Sequence, residues 1–165
     1  MMVVEETVEQ AERSAVEVRT MRETDLDAIV RIDAIASGRR RPRYFELMIE
    51  RSVRQAALQV SLVAETEGIV VGFLLASLFY GEYGLTEPTS SIESIGVDPA
   101  YRGHGVGHRL MHQLRINLGA LGVSTLRTEV GWDELELLGF FRSEGFRPAA
   151  RLCLDCSIDP TAPSD

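Results

Sequence analysis

Lysine is absent from these 165 residues, and all 17 basic side chains are arginine. That absence excludes the lysine-bearing phosphate loop of the P-loop NTPases and any mechanism that runs through a lysine Schiff base. Cysteine is nearly absent too. Cys153 and Cys156 stand three apart, with no second pair to complete a zinc site. Residues three apart on a strand face opposite ways, so a disulfide is not expected, and both read as ordinary core cysteines. No apolar run approaches the roughly 18 residues of a membrane span. The acidic start Met1-Met2-Val3-Val4-Glu5-Glu6 lacks the layout of a secretion signal. The expectation is a cytoplasmic protein with no membrane partner. The net charge of −8 argues against nucleic acid as a partner and suits a cationic substrate such as an amine, although solubility alone accounts for it equally well.

What is present reads as one α+β domain over residues 16–158, between flexible tails at 1–15 and 159–165. Val16 to Met21 alternates like a strand. Thr24 or Asp25 can cap a helix through Ile35, stopped by Ser37-Gly38. A basic loop, Arg39-Arg40-Arg41-Pro42-Arg43, leads to a second helix reaching about Gln55, with Phe45, Met48 and Ile49 inward. Leu58 to Glu65 and Ile69 to Tyr80 read as a hairpin around Glu67-Gly68. A loop over 81–90 precedes a strand at Ser91 to Val97. A helix from about Gly105 to Leu118, a strand at Val123 to Val130, a helix at Glu134 to Ser143 and a last strand at Arg151 to Ile158 follow. Trp132, at the start of that last helix, reads as a packing residue.

The densest signal is Ile95-Gly96-Val97-Asp98-Pro99-Ala100-Tyr101-Arg102-Gly103-His104-Gly105-Val106-Gly107-His108. A strand feeds a turn with alternate glycines that opens directly into an amphipathic helix. Glycines let several backbone N–H groups converge, and the helix start adds its positive dipole end, which together suit a pyrophosphate. The dinucleotide spacing G-x-G-x-x-G fails, since its third glycine falls on His108 or Leu110. His104, His108 and His112 recur every four residues, but no carboxylate completes a metal set, so no metal is expected.

Arg-x-x-Gly-x-Gly at Arg102 to Gly107, after Val97-Asp98-Pro99, resembles the acetyl-CoA motif of the GNAT acetyltransferase superfamily. Phe141-Arg142-Ser143-Glu144-Gly145-Phe146 resembles that family's second segment, and the order of elements agrees. The resemblance implies a mixed, mostly antiparallel sheet with helices on both faces, in three α/β/α layers. It implies that the backbone of Ile95, Gly96 and Val97 pairs with pantetheine; a mid-strand glycine such as Gly96 marks a bulge or a close backbone approach, and in the family a bulge here opens the slot. Amides of Gly103, His104, Gly105, Val106, Gly107 and His108 would hold the pyrophosphate, with charge added by Arg102 and Arg109. Phe141 would also lie at the cofactor. The loops 39–43 and 81–90 would flank the acceptor.

The implied reaction is acetyl transfer from acetyl-CoA to a primary amine, on a small molecule or a protein. An alkylammonium with pKa near 10.4 is neutral in only about one molecule in 2,500 at pH 7, so roughly 4.6 kcal/mol must be offset. A carboxylate base can take that proton. Glu93 and Glu129 are the two candidates, each matching the position of a proposed base in one branch of the family. Two departures stand out. Phe141 replaces the tyrosine that protonates the leaving thiolate in many members, which leaves Tyr80, Tyr83, Tyr101 or water for that task. Glu134 replaces a CoA-contacting asparagine. A domain that binds CoA without turnover, as a sensor or a partner subunit, is the other reading. A homodimer is compatible with either.

Overall fold

The computed structural model describes residues 16–54, 60–81, 84 and 86–158, apart from the side chains of 52–54. They fall into two compact units that divide after Gly131.

The first unit is built on a five-stranded sheet. Its strands are β1 (Glu17–Thr20), β2 (Leu62–Thr66), β3 (Ile69–Phe79), β4 (Thr89–Val97) and β5 (Thr125–Thr128), in spatial order 1-2-3-4-5. All neighbours are antiparallel except the last pair, β4 with β5. The β2–β3 hairpin turns on Glu67 and Gly68, both at positive φ (50° and 77°), the pairing a two-residue primed turn demands.

Three helices accompany the sheet: α1 (Leu26–Ser37), α2 (Pro42–Arg54) and α3 (Val106–Ala120). Strand alternation sorts them between the two faces. Phe73 and Val63 pack with Ile29, Ile32, Phe45 and Ile49 of α1 and α2, all at most 2% exposed. Burial of each such side chain stabilises by roughly 1.5–3 kcal/mol. Gly72, one residue before Phe73, faces the other way. A Cβ there would lie 2.8 Å from Val106 and 3.4 Å from Leu110, so the missing side chain lets α3 sit close against that face. Helices on both faces of a mixed sheet give the three layers expected.

Most helix ends are where the caps predict. Gly38 closes α1 in the left-handed conformation (φ 70°), its N–H donating to the Ala34 carbonyl. At the β1 edge, Arg19 donates two bonds of 2.8 Å to Asp25 and lies 2.7 Å from Glu65. Burial opposes ionisation of Asp25, but Arg19 and the Arg22 N–H outweigh it and hold the carboxyl below its usual range.

The second unit holds α4 (Leu135–Ser143). Its C-terminus is a Schellman stop: Phe146 N–H donates to the Phe141 carbonyl (2.9 Å) and Gly145 N–H to that of Arg142 (3.0 Å). Gly145 sits at φ 83°, and the Phe141 and Phe146 rings close the motif with centroids 5.0 Å apart.

Three expectations fail in this unit. Arg151 to Ile158 pairs with no strand among the described residues, and Leu152, Leu154 and Ile158 are more than 80% exposed. Alternation of apolar side chains supplies a face for a strand but not a hydrogen-bonding neighbour. Cys153 and Cys156 are exposed rather than core, because they belong to that segment. Trp132 is 87% exposed rather than packed.

Candidate active site

The two halves of β4 have different neighbours. Thr89 to Ile92 pair with β3 on one side and with Thr125 to Thr128 of β5 on the other. Beyond the Ile92–Thr128 pair the parallel ladder ends, and Glu93 to Val97 keep only β3. Glu93 and Glu129 are therefore the first residues past the fork, one on each strand. Both are exposed.

A bulge accompanies the fork. Leu75 opposes Ser94 while Ala76 opposes Ile92, so Glu93 is the extra residue. Of the two readings of Gly96, the bulge is not the one observed, since Gly96 pairs regularly with Phe73, and the close backbone approach is. Gly96 answers a different need, since a Cβ there would lie 2.5 Å from Phe73 Cε1 and 3.3 Å from Ile32 Cγ2. The strand backbone passes directly over the core aromatic ring.

Past the bulge, ladder geometry fixes which backbone groups face the opening. Asp98 N–H donates to the Val71 carbonyl (2.9 Å), which makes that pair hydrogen-bonded. Alternation then turns Gly96 toward β3 and turns the N–H and C=O of Ile95 and Val97 away from it, toward the side that β5 has left. The Val97 carbonyl accepts a bond from Arg102 Nε (3.3 Å) at that edge.

The strand runs straight into the glycine turn. Asp98 accepts from Ala100 N–H (3.0 Å) and from Arg31 of α1 (2.8 Å), and so fastens the end of β4. Gly103 and Gly105 both have φ 76° with open space where a Cβ would sit. Conformation rather than room selects glycine at these two positions. His104 Nδ1 lies 2.9 Å from the Arg102 carbonyl and braces the turn. Gly105 is the N-cap of the 15-residue α3, whose first turn carries no acid. The amides of Gly103 through His108 thus lie where a helix of this length starts, beside the exposed side chains of Arg102, His108 and Arg109. This arrangement fits a pyrophosphate.

On the α1–α2 face, Tyr44 lies within the electrostatic reach of Glu93. Burial, and then the Glu93 charge, raise the Tyr44 phenol above its usual range, so it remains a neutral O–H donor at neutral pH. Its ring lies 5.1 Å beneath the Arg41 guanidinium, which is fixed by two bonds to the buried Asp33. The sequence reading missed Tyr44 and Asp33. Asp33 was findable, since it stands four residues after Ile29 on the inward stripe of α1, where a carboxylate needs a partner.

Tyr83 and part of the 81–90 loop lie outside the described residues. Tyr80 is exposed and Tyr101 half-buried. Phe141 is buried, and its place in the helix stop explains its spacing to Gly145-Phe146 without a ligand. A shallow groove of about 430 Å³ borders the turn on the β1 side, lined by Val16, Val18, His108, Arg109, His112 and Gln113. Neither glutamate lines it, so it is separate from the fork.

Comparison with known proteins agrees with this geometry. The aminoglycoside acetyltransferase AAC(6')-Iy, solved with a CoA-containing bisubstrate analog, superposes with a TM-score of 0.74 at 19% identity, over 88% of this chain and 100% of that one. A ribosomal-protein-alanine N-acetyltransferase from Brucella melitensis biovar Abortus 2308 gives 0.70 at 17%, over 88% and 100%. Ard1 from Thermoplasma volcanium gives 0.69 at 24%, over 82% and 85%. These likenesses bear on fold. The family model described as "Acetyltransferase (GNAT) family" matches residues 26–146, from the start of α1 to the end of the helix stop, and the chain belongs to that family.

Proposed function

We propose that the chain transfers the acetyl group of acetyl-CoA to a primary amine, by direct attack in a ternary complex. The observation that carries this reading is the fork: a strand with one free edge, continuous with a left-handed glycine turn at the start of α3. Residues 16–158 act in this reading as one catalytic domain.

Bound acetyl-CoA supplies an activated thioester. Ile95 and Val97 offer backbone donors and acceptors to the amide-bearing pantetheine arm, as an added strand would. The amides of Gly103 to His108 hold the pyrophosphate, and Arg102 adds charge beside them. Glu93 or Glu129 removes a proton from the acceptor ammonium, directly or through water. The freed nitrogen bonds to the acetyl carbon as the carbon–sulfur bond breaks, the sulfur leaves with the electron pair, and the second proton that the acylated nitrogen sheds passes to water or to the departing thiolate. The Val97 N–H stabilises the thioester oxygen as it gains charge, a role supported by its direction in the ladder, away from β3. A thiolate with a solution pKa near 8.5 can leave without an acid, so Phe141 does not preclude turnover.

Fixed-time assays of acetyl-CoA consumption against a library of primary amines test this reading. Turnover with at least one amine is expected. Tight acetyl-CoA binding with no turnover across the library would favour the non-catalytic alternative.

A further inference from the structure

The α1–α2 connection concentrates positive charge on an acidic protein. Arg39, Arg40, Arg41, Arg43 and Arg51 fall within thirteen residues of a chain with a net charge of −8. Two of the five have a carboxylate partner. Arg41 is bound to Asp33, and Arg43 lies 3.1 Å from Glu46. Arg51 leans on Met48 Sδ at 3.9 Å. The side chains of Arg39 and Arg40 engage none of the described residues and are exposed.

Their backbone, in contrast, is held. Ser37 Oγ accepts from Arg39 N–H and donates to the Arg39 carbonyl (3.2 Å each), and Gly38 N–H is bonded to Ala34. Arg41 is pinned at the other end by Asp33 and by its stack over Tyr44 and Phe45. The Cα of Arg39 lies at most about 8 Å from that of Arg41. Two guanidiniums without a partner among the described residues are therefore presented on a braced loop next to Arg41, whose anchor Asp33 follows Ile32, the α1 residue whose Cγ2 would lie 3.3 Å from a Cβ at Gly96 in the open half of β4.

We infer that Arg39 and Arg40 read a carboxylate carried by the amine acceptor, so that the preferred substrates of this chain are anionic amines rather than polycations. The inference rests on the acetyl-transfer reading. It turns the expectation from net charge around, because the charge that meets the acceptor is local. Carboxylates suit guanidinium forks, and a charge at the rim acts on capture more than on the chemical step.

The test measures kcat/KM at low salt for three matched peptides with a free α-amine, followed by two Glu, two Gln or two Arg, and for free glutamate. The enzymes are wild type and the double charge reversal Arg39→Glu/Arg40→Glu. Wild type is expected to favour the Glu peptide over the Arg peptide by about tenfold, through KM, and the variant to reverse that order, with the Gln peptide changed less than either charged one. Preference for free glutamate over the Glu peptide would assign the carboxylate to a small acceptor, and the opposite order to a peptide. Indifference to charge, or preference for the Arg peptide, overturns the inference. So does a wild type that acetylates another amine of the library yet none of the four, whereas no turnover with any amine overturns the reading beneath it.

Discussion

Two stretches of one strand, Thr89–Ile92 and Glu93–Val97, share a neighbour in β3 and differ in the other. The first is closed on both sides, and Thr89, Ser90 and Ile92 are buried. The second is open toward β5, and its residues are half-buried or exposed. Unpaired backbone groups within a sheet are costly unless water or a ligand meets them. The open half has braces of its own: Arg31 holds Asp98, Arg102 reaches back to the Val97 carbonyl, and Phe73 underlies Gly96. An opening kept rigid at such cost suits a preorganised binding edge.

The largest expected effect tests the turn that continues the open half. Gly105→Val has room for its side chain but must adopt φ near 76°, which costs roughly 1–2 kcal/mol or relocates the amides. Acetyl-CoA affinity by calorimetry should fall by about a hundredfold or more, while circular dichroism shows the fold intact. Unchanged affinity would place the cofactor elsewhere.

Next come the two residues at the fork. Glu93→Gln and Glu129→Gln keep shape and remove charge. One of them should lower kcat/KM by about 10²-fold at pH 7 with acetyl-CoA affinity retained, and the loss should shrink at high pH, where the amine deprotonates unaided. If both mutants stay within a few-fold of wild type, neither glutamate is the base.

A smaller effect separates the glycine that needs space from those that need conformation. Gly96→Ala forces a Cβ against Phe73 and should lower stability by roughly 1–3 kcal/mol in urea unfolding. Gly81→Ala, with open space at its Cβ, would lose only what its positive φ costs.

The smallest effect concerns the far edge of the sheet. Asp25 has a folded pKa below its unfolded value, so its contribution is fully present above about pH 4 and is lost as pH falls through the folded value. Asp25→Asn should flatten the acid limb of the stability profile and leave acetyl-CoA affinity unchanged. An unaltered acid limb would remove Asp25 from the account.

Much of this was legible in the sequence, for reasons that differ from place to place. The β2–β3 turn was readable because Glu67-Gly68 is a local signal, and the glycine turn because Gly103 and Gly105 satisfy a local conformational demand. A mid-strand glycine signals a bulge or a close approach without saying which; Gly96 proved the close approach, and the bulge fell on Glu93, where only the register between two distant strands sets it. Tyr44 escaped notice for the same reason, since its relation to Glu93 joins residues about fifty positions apart in sequence. Arg151 to Ile158 alternates as a strand should, but pairing depends on a neighbour that composition cannot name.

The central claim is that acetyl-CoA lies along the free edge of β4. Amide hydrogen exchange with and without acetyl-CoA tests it most directly. The account predicts new protection at Ile95, Val97 and Gly103 to His108, with Gly96 unchanged because it already faces β3. Saturating acetyl-CoA that leaves Ile95 and Val97 exchanging as before would contradict it.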